Sequence, residues 1–180
     1  DVYKRQELGE KLDGDAVFER WLETRYLTGK SAEGFKRSPG FVADTLEMAG
    51  RWSDLPGIYA DVVAAINAVP GTLAGSAHQS HAYVDGACLY FSLRGEVEVE
   101  RRAQWYRAAW DAANAVLIKY NAALSHHHGV GLLRAPYMQE SLGGAFDVLR
   151  TIKRTLDPQN ILNPGKLGLS DARFYDQEDR

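Results

Sequence analysis

The stretch Ala87-Cys88-Leu89-Tyr90-Phe91-Ser92-Leu93-Arg94 alternates with a period of two. Side chains alternate across a strand, so Ala87, Leu89, Phe91 and Leu93 share one face and Cys88, Tyr90, Ser92 and Arg94 the other. The first face is what a helix layer covers. The second carries the polar groups and suits the floor of a cleft. Upstream, Asp85-Gly86 is a turn pair, and Thr72 to Ala82 reads as the partner strand across it. Phe41 to Ala49 reads as a further strand running into a helix.

That helix carries Leu55, Ile58, Tyr59, Val62, Ile66 and Val69 at helical spacing, with Ser53 as its N-cap, Pro56 in the first turn and Pro70-Gly71 as its stop. On the other side of the quoted strand, Val99, Ala103, Tyr106, Trp110, Ala113, Leu117, Tyr120 and Leu124 alternate steps of four and three. A long helix over Glu98 to Ala123 follows. Its stripe is rich in Ala and aromatics and has no sequence partner, so packing on a sheet is favoured over a coiled coil. Phe18, Trp21, Leu22 and Arg25 predict an earlier helix from Asp15 to Tyr26, followed by a Gly-rich loop from Gly29 to Gly40. A last helix, Gly144 to Leu156, is expected to turn Phe146, Leu149, Ile152 and Leu156 inward. Asp157-Pro158 ends it, and Asn163-Pro164-Gly165 makes another turn. Together these give an α+β domain, an antiparallel sheet with helices packed on one face. The opposite face then needs cover from something outside these elements.

Composition narrows the function classes. The 180 residues make one domain, with 45% hydrophobic and 25% charged residues. The net charge of −3 gives no basic excess for nucleic acid, and the single cysteine excludes a disulfide framework or a Cys-rich zinc site. No apolar run reaches the roughly 20 residues of a membrane-spanning helix. With no signal peptide visible, a reducing compartment, the cytoplasm, is the expectation. The opening Asp1-Val2-Tyr3-Lys4-Arg5-Gln6 lacks an initiator Met and resembles a translated sequencing adaptor. Residues 1–6 are therefore read as non-native, 7–169 as the domain, and 170–180 as a charge-rich polar tail. On that reading the chain is the C-terminal piece of a longer protein.

The residues able to carry chemistry are few. All five histidines lie between His78 and His128. His126, His127 and His128 are consecutive and precede Gly129, a composition suited to a site that backbone must approach closely. Consecutive residues do not share a face, so at most two of the three are expected to address one ligand. A solvated surface loop explains the triplet equally well. His78 and His81 lie three apart on a predicted strand, point to opposite faces, and make a poor metal pair unless the strand bends. No metal site is expected. Cys88 and Tyr90 share the polar strand face. A tyrosine there, with a reference pKa of about 10, needs cationic neighbours to serve as a base. The chain has no nucleotide-cradling Gly-rich loop and no Gly-x-Ser-x-Gly elbow.

Three stretches resemble the C-terminal cap region of FAD-linked oxidases of the vanillyl-alcohol-oxidase class, and within it the alkylglycerone-phosphate synthases. They are Ser80-His81-Ala82-Tyr83-Val84-Asp85-Gly86-Ala87-Cys88-Leu89-Tyr90-Phe91, Leu124-Ser125-His126-His127-His128-Gly129-Val130-Gly131 with Leu133-Arg134 after it, and Leu156-Asp157-Pro158-Gln159-Asn160-Ile161-Leu162-Asn163-Pro164-Gly165-Lys166. Asp44-Thr45-Leu46-Glu47 with Trp52-Ser53 is a weaker fourth. The third stretch is common to the whole flavin class; the first two are more specific.

The resemblance implies a fragment of a larger flavoprotein. An N-terminal FAD-binding domain of the same chain would hold most of the cofactor, FAD, and this domain would shape the substrate site. It implies an exchange without net redox: acyl-dihydroxyacetone phosphate loses its fatty acid and gains a fatty alcohol, giving an ether lipid precursor. It implies Tyr90 as the acid/base group, with His126, His127 and His128 as catalytic neighbours. His127, His128 and Asn163 would touch the cofactor, and His81, Cys88 and Arg37 the substrate. Related 2-hydroxyacid dehydrogenases carry Glu-His-Gly where this chain has His127-His128-Gly129, and several bind a divalent metal there; this chain departs from that pattern. The family's substrate-handling Arg has no fixed counterpart by spacing, with Arg37 nearest and Arg25 second. A flavin-dependent 2-hydroxyacid dehydrogenase and a non-catalytic binding domain of the same fold are the two alternatives. A homodimer and peripheral membrane attachment of the full-length enzyme stay open.

Overall fold

The computed structural model describes residues 15–25 and 38–169. Residues 1–6, Tyr26, the predicted loop as far as residue 37 (with Arg37) and the tail 170–180 lie outside them. The chain divides into two compact units, Asp1–Pro39 and Gly40–Arg180. Within the first, α1 (Asp15–Thr24) stacks Phe18 on Trp21, ring centroids 5.7 Å apart, and Arg25 lies 4.2 Å from the Trp21 ring.

The second unit runs β1 (Phe41–Arg51), α2 (Leu55–Asn67), β2 (Thr72–Ala82), β3 (Gly86–Glu96), α3 (Arg102–Lys119), α4 (Met138–Leu142) and α5 (Gly144–Leu156). The quoted strand, β3, is central: the sheet order is β1-β3-β2 and both pairings are antiparallel. Leu89, Phe91 and Leu93 of β3 and Leu46 and Met48 of β1 form one buried cluster with Ile58, Val62 and Ile66 of α2 and Trp105, Trp110 and Leu117 of α3. Burying each such side chain contributes about 1.5–3 kcal/mol, enough to hold both helices on this face. The α+β architecture with helices on one face is as the sequence predicts.

A buried-face carboxylate registers α3 on the sheet. Asp44 of β1 accepts hydrogen bonds from Tyr106 Oη at 2.6 Å and Trp110 Nε1 at 3.2 Å. Burial, then the Asp44 bond and charge, push the Tyr106 phenol far above its usual pKa, so it stays a donor. Trp105 donates from Nε1 to Thr72 Oγ1 at 3.2 Å, and its indole lies where a Cβ on Gly95 would sit, 2.3 Å from Cε2. The α2–β2 turn uses Gly71 at φ 93°, a left-handed backbone that Pro70-Gly71 anticipates.

Three sequence expectations are corrected. The residue before α2 in the N-cap place is Asp54, not Ser53; the Ser53 hydroxyl donates to Asp54 Oδ1 at 3.0 Å instead of to the helix. The buried stripe of α3 starts at Trp105 and continues through Ala109, Trp110, Ala113 and Leu117, whereas Val99 and Ala103 are exposed because residues 99–101 form a separate 3₁₀ turn. In α5 only Phe146 is buried; Leu149, Ile152 and Leu156 are 41%, 49% and 77% exposed. The α5 periodicity was real, but no described element covers its stripe beyond Phe146.

Gly95→Ala is expected to destabilise the fold by about 1–3 kcal/mol, since a methyl group must displace the Trp105 ring. Thermal unfolding followed by circular dichroism checks this. An unchanged melting temperature would show that Trp105 does not depend on the bare backbone at Gly95.

Candidate functional site

The sheet face opposite the helices carries Thr45 and Glu47 of β1, Cys88, Tyr90 and Ser92 of β3, and Ser76 and His78 of β2, as the register pairs them: Thr45 with Ser92, Glu47 with Tyr90, Ser76 with Ser92 and His78 with Tyr90. Farther along β2, Gln79 pairs with Leu89 but Ala82 pairs with Ala87. Three steps on β2 therefore match two on β3, a bulge of one extra residue that reverses the alternation. His81 thus reaches the same face as His78. The expectation of opposite faces is corrected by that bulge, which sequence spacing does not display.

The segment after α3 folds back over this face. An isolated bridge joins Ala49 to Ala123, and Gly129, at φ 80°, closes a bend on Ser125 by donating from its N–H to the Ser125 hydroxyl at 2.9 Å. Because the His triplet lies in a bend rather than a strand, all three rings gather over the sheet, not two. His126 lies 4.9 Å from the His81 ring and 5.5 Å from Tyr83. His127 lies 5.2 Å from His81 and 6.0 Å from Tyr90, and His128 meets Tyr90 edge-on at 5.4 Å. His78 stacks on Tyr90 as well, at 5.2 Å. The Tyr90 hydroxyl lies 3.1 Å from Thr45 Oγ1 and 3.4 Å from His128 Nε2.

Beneath the bend lies Glu47, fully buried. Its Oε1 accepts from Ser125 Oγ at 2.8 Å, the His128 N–H at 3.0 Å and Arg134 at 3.4 Å, and its Oε2 accepts from the His126 N–H. Burial alone would raise the Glu47 pKa; the bonds from His128, Ser125 and His126 and the Arg134 charge outweigh it and hold the carboxyl below its usual value. Arg134, also buried, pins both ends of the bend: Nε donates to the Leu124 carbonyl at 2.7 Å and a terminal nitrogen to the Gly129 carbonyl at 3.0 Å. Its guanidinium lies 5.1 Å from the Trp110 ring.

Cys88 sits under the imidazoles and is fully buried, and burial, then the Glu47 charge, push its thiol above the usual pKa. Ligand atoms of His81, Cys88, His126 and His127 fall within 4.8 Å of one another. These atoms already have neighbours: His126 Nδ1 lies 2.9 Å from His127 Nδ1, His126 Nε2 lies 2.8 Å from Tyr83 Oη, and His81 Nδ1 lies 2.9 Å from Ser80 Oγ. Side by side, these contacts make the rings a hydrogen-bonded imidazole array over the buried thiol. Asn163 occupies a separate turn at φ 48°, and among the described residues no hydrogen bond links it to the array. The Asp157 carboxylate shapes that turn, accepting from the N–H of Ile161 and of Leu162, each at 3.0 Å, and from Lys153.

Residues 7–167 match the family described as FAD linked oxidases, C-terminal domain. The chain belongs to that family. Among curated relatives of this FAD-linked oxidase domain, an alkyldihydroxyacetonephosphate synthase of Dictyostelium discoideum is 39% identical over 92 residues, 51% of this chain and 15% of that protein. A glycolate oxidase subunit of Bacillus subtilis is 35% identical over 82 residues, 45% of this chain and 17% of that protein. The chain thus spans about a sixth of these relatives. A solved alkyldihydroxyacetonephosphate synthase matches with TM-score 0.52 and 23% identity over 81% of this chain and 24% of that one, which shows the shared fold.

Sequence reasoning singled out Tyr90 and the triplet, and the fold brings them together. It missed Glu47 and Arg134 as the bend's anchors. Both lie in stretches that resemble the family, Asp44-Thr45-Leu46-Glu47 and Leu133-Arg134, but the resemblance gave them no role, and a carboxylate between Leu46 and Met48 on a strand is also what a solvent-facing residue would give. A depressed carboxylate pKa stabilises the fold above the ordinary carboxylate range, and that stability is lost as pH falls through the folded-state value. Glu47→Gln is therefore expected to flatten the acid side of the stability profile, measured by urea unfolding across acidic pH. An unaltered acid slope would show that Glu47 carries no part of it.

Proposed function

We propose that this domain is the substrate-facing part of a flavoenzyme of the alkyldihydroxyacetonephosphate synthase type, exchanging the acyl group of acyl-dihydroxyacetone phosphate for a fatty alcohol. One observation carries the reading: a phenol, Tyr90, shared between a hydroxyl and an imidazole on an open sheet face crowded with further imidazoles. The specific likeness to alkyldihydroxyacetonephosphate synthases adds to it.

The residues suit FAD as a neighbour. Tyr90 stacks with the His78 and His127 rings at interplanar angles of 24° and 29°, so flat, polar-edged surfaces line one face of the sheet. His127 and His128 are about one-third exposed and would lie against the flavin, with Asn163 a further contact in the assembled protein. The nucleotide portion would rest on an N-terminal FAD-binding domain. When bound, FAD supplies the electron-accepting ring that amino-acid side chains lack.

This chain's own groups then handle protons and charge. Tyr90 Oη exchanges a proton with the substrate carbon bearing the ester, with His128 Nε2 within reach to receive or return it. The imidazolium formed at His128 when Tyr90 passes its proton on offsets the negative charge of the departing carboxylate. The bend over Glu47 narrows access of water to this corner.

The test is the full-length flavoprotein given acyl-dihydroxyacetone phosphate and labelled fatty alcohol without an electron acceptor. Ether product and free fatty acid are expected. Absence of exchange, with flavin bleaching on adding a 2-hydroxy acid, would replace the reading by the dehydrogenase one. Tyr90→Phe is expected to cut turnover about 10²–10⁴-fold with folding retained. Near-normal turnover would remove Tyr90 from the acid/base role.

A further inference from the structure

The ring nitrogens of the triplet can be followed from one buried charge. His127 Nδ1 and His128 Nδ1 each lie 3.8 Å from a different Glu47 oxygen. That is too long for a hydrogen bond, yet close enough for a buried carboxylate to favour a proton on the facing nitrogen. Among the described residues, Arg134 is the cation that meets Glu47 directly, and its guanidinium is also bound to three backbone carbonyls, those of Leu124, Gly129 and Glu47. With Nδ1–H toward Glu47, neutral His128 presents a bare Nε2 to Tyr90 Oη at 3.4 Å. Tyr90 then donates to His128, and Thr45 Oγ1, 3.1 Å away, donates to Tyr90.

The same assignment resolves the contact between His126 and His127. Their Nδ1 atoms are 2.9 Å apart, so one carries a proton and the other does not. If His127 holds Nδ1–H, it donates to His126 Nδ1. His126 must then carry Nε2–H, which donates to Tyr83 Oη at 2.8 Å. Every ring contact is satisfied by one proton placement, and Glu47 selects it.

We propose that Glu47 is a positioning residue that fixes the tautomers of all three imidazoles: Nδ1–H on His127 and His128, Nε2–H on His126. It acts through the rings and touches neither substrate nor flavin. The consequence for the site is directional. His128 Nε2 is kept as an acceptor, so Tyr90 can pass a proton to it, forming a phenolate beside an imidazolium whose charge Glu47 balances. The opposite tautomer would point an N–H at Tyr90 and block that transfer. The same logic orders a histidine between a buried carboxylate and a hydroxyl in other proton relays. This deepens the proposed function, because it names what makes Tyr90 and His128 a working pair.

The experiment is ¹⁵N NMR of the full-length flavoprotein labelled at histidine, at a pH above the ordinary imidazole range. Resonances are assigned by single His→Gln variants. The expected pattern is protonated Nδ1 at His127 and His128 and protonated Nε2 at His126. Glu47→Gln is expected to move His128 to the Nε2–H form, and to lower kcat about tenfold or more with KM changed less. Because the two residues act as a unit, Glu47→Gln combined with His128→Gln should be no slower than the slower single variant. Nε2–H at His128 in the unaltered protein overturns the proposal, as do unchanged tautomers in Glu47→Gln or losses in kcat that multiply. If Glu47→Gln does not fold, the unaltered protein's pattern still decides the matter. The tautomer pattern is independent of the reaction, so its presence in a protein without exchange activity would refute the proposed function and leave this inference standing.

Discussion

A carboxylate with no solvent exposure governs this domain's open face. Glu47 would cost several kcal/mol if buried alone, and it persists because the chain delivers two backbone N–H groups, a hydroxyl and a guanidinium to its two oxygens. Those donors come from residues 125–134, so satisfying the charge and placing the histidine bend are one event. The bend cannot lift without stranding Glu47, and Glu47 cannot be reached by water while the bend is closed. A loop of polar side chains, which ordinarily would be mobile, is held like a piece of core.

Adjacent residues on β1 divide the labour between the two faces. Asp44 looks toward the helices and fixes α3 through Tyr106 and Trp110. Thr45 looks the other way and meets the Tyr90 hydroxyl. Leu46 returns to the core and Glu47 to the bend. Four consecutive residues thus couple helix docking to site geometry, since a one-residue slip of β1 against β3 would exchange the two faces. The bulge on β2 makes a complementary adjustment. It adds His81 to the open face, where unbroken pairing would have turned it away.

Much of this was legible along the chain because the signals were local and periodic. Period-two alternation in β3, helical spacing in α2 and α3, and the Pro70-Gly71 stop each depend on near neighbours. Tyr90 could be put on a polar face by parity alone. The errors also follow from locality. The α5 stripe from Phe146 to Leu156 is amphipathic, but amphipathicity says which face wants cover and not whether cover exists; most of it is exposed. The triplet was expected to split because consecutive residues do not ordinarily share a face, and the bend that gathers the three rings is closed by contacts to Glu47 and Arg134 from distant positions. Asn163 has no described bond to the array, and Arg37 lies outside the described residues.

By itself the sequence determined the strands, the two packed helices and the side of β3 on which its tyrosine lies, since hydrophobic periodicity and turn residues act over a few positions. Tertiary structure alone decided that Glu47 is buried, that Arg134 closes the loop ends, and that a bulge and a bend gather the imidazoles on one face, three of them against the Tyr90 phenol. The bonds that tie the bend to Glu47, Tyr83 and Tyr90 join residues about 40 to 90 positions apart. Their energies come from desolvation and hydrogen bonding between distant segments, which no pattern along the chain records.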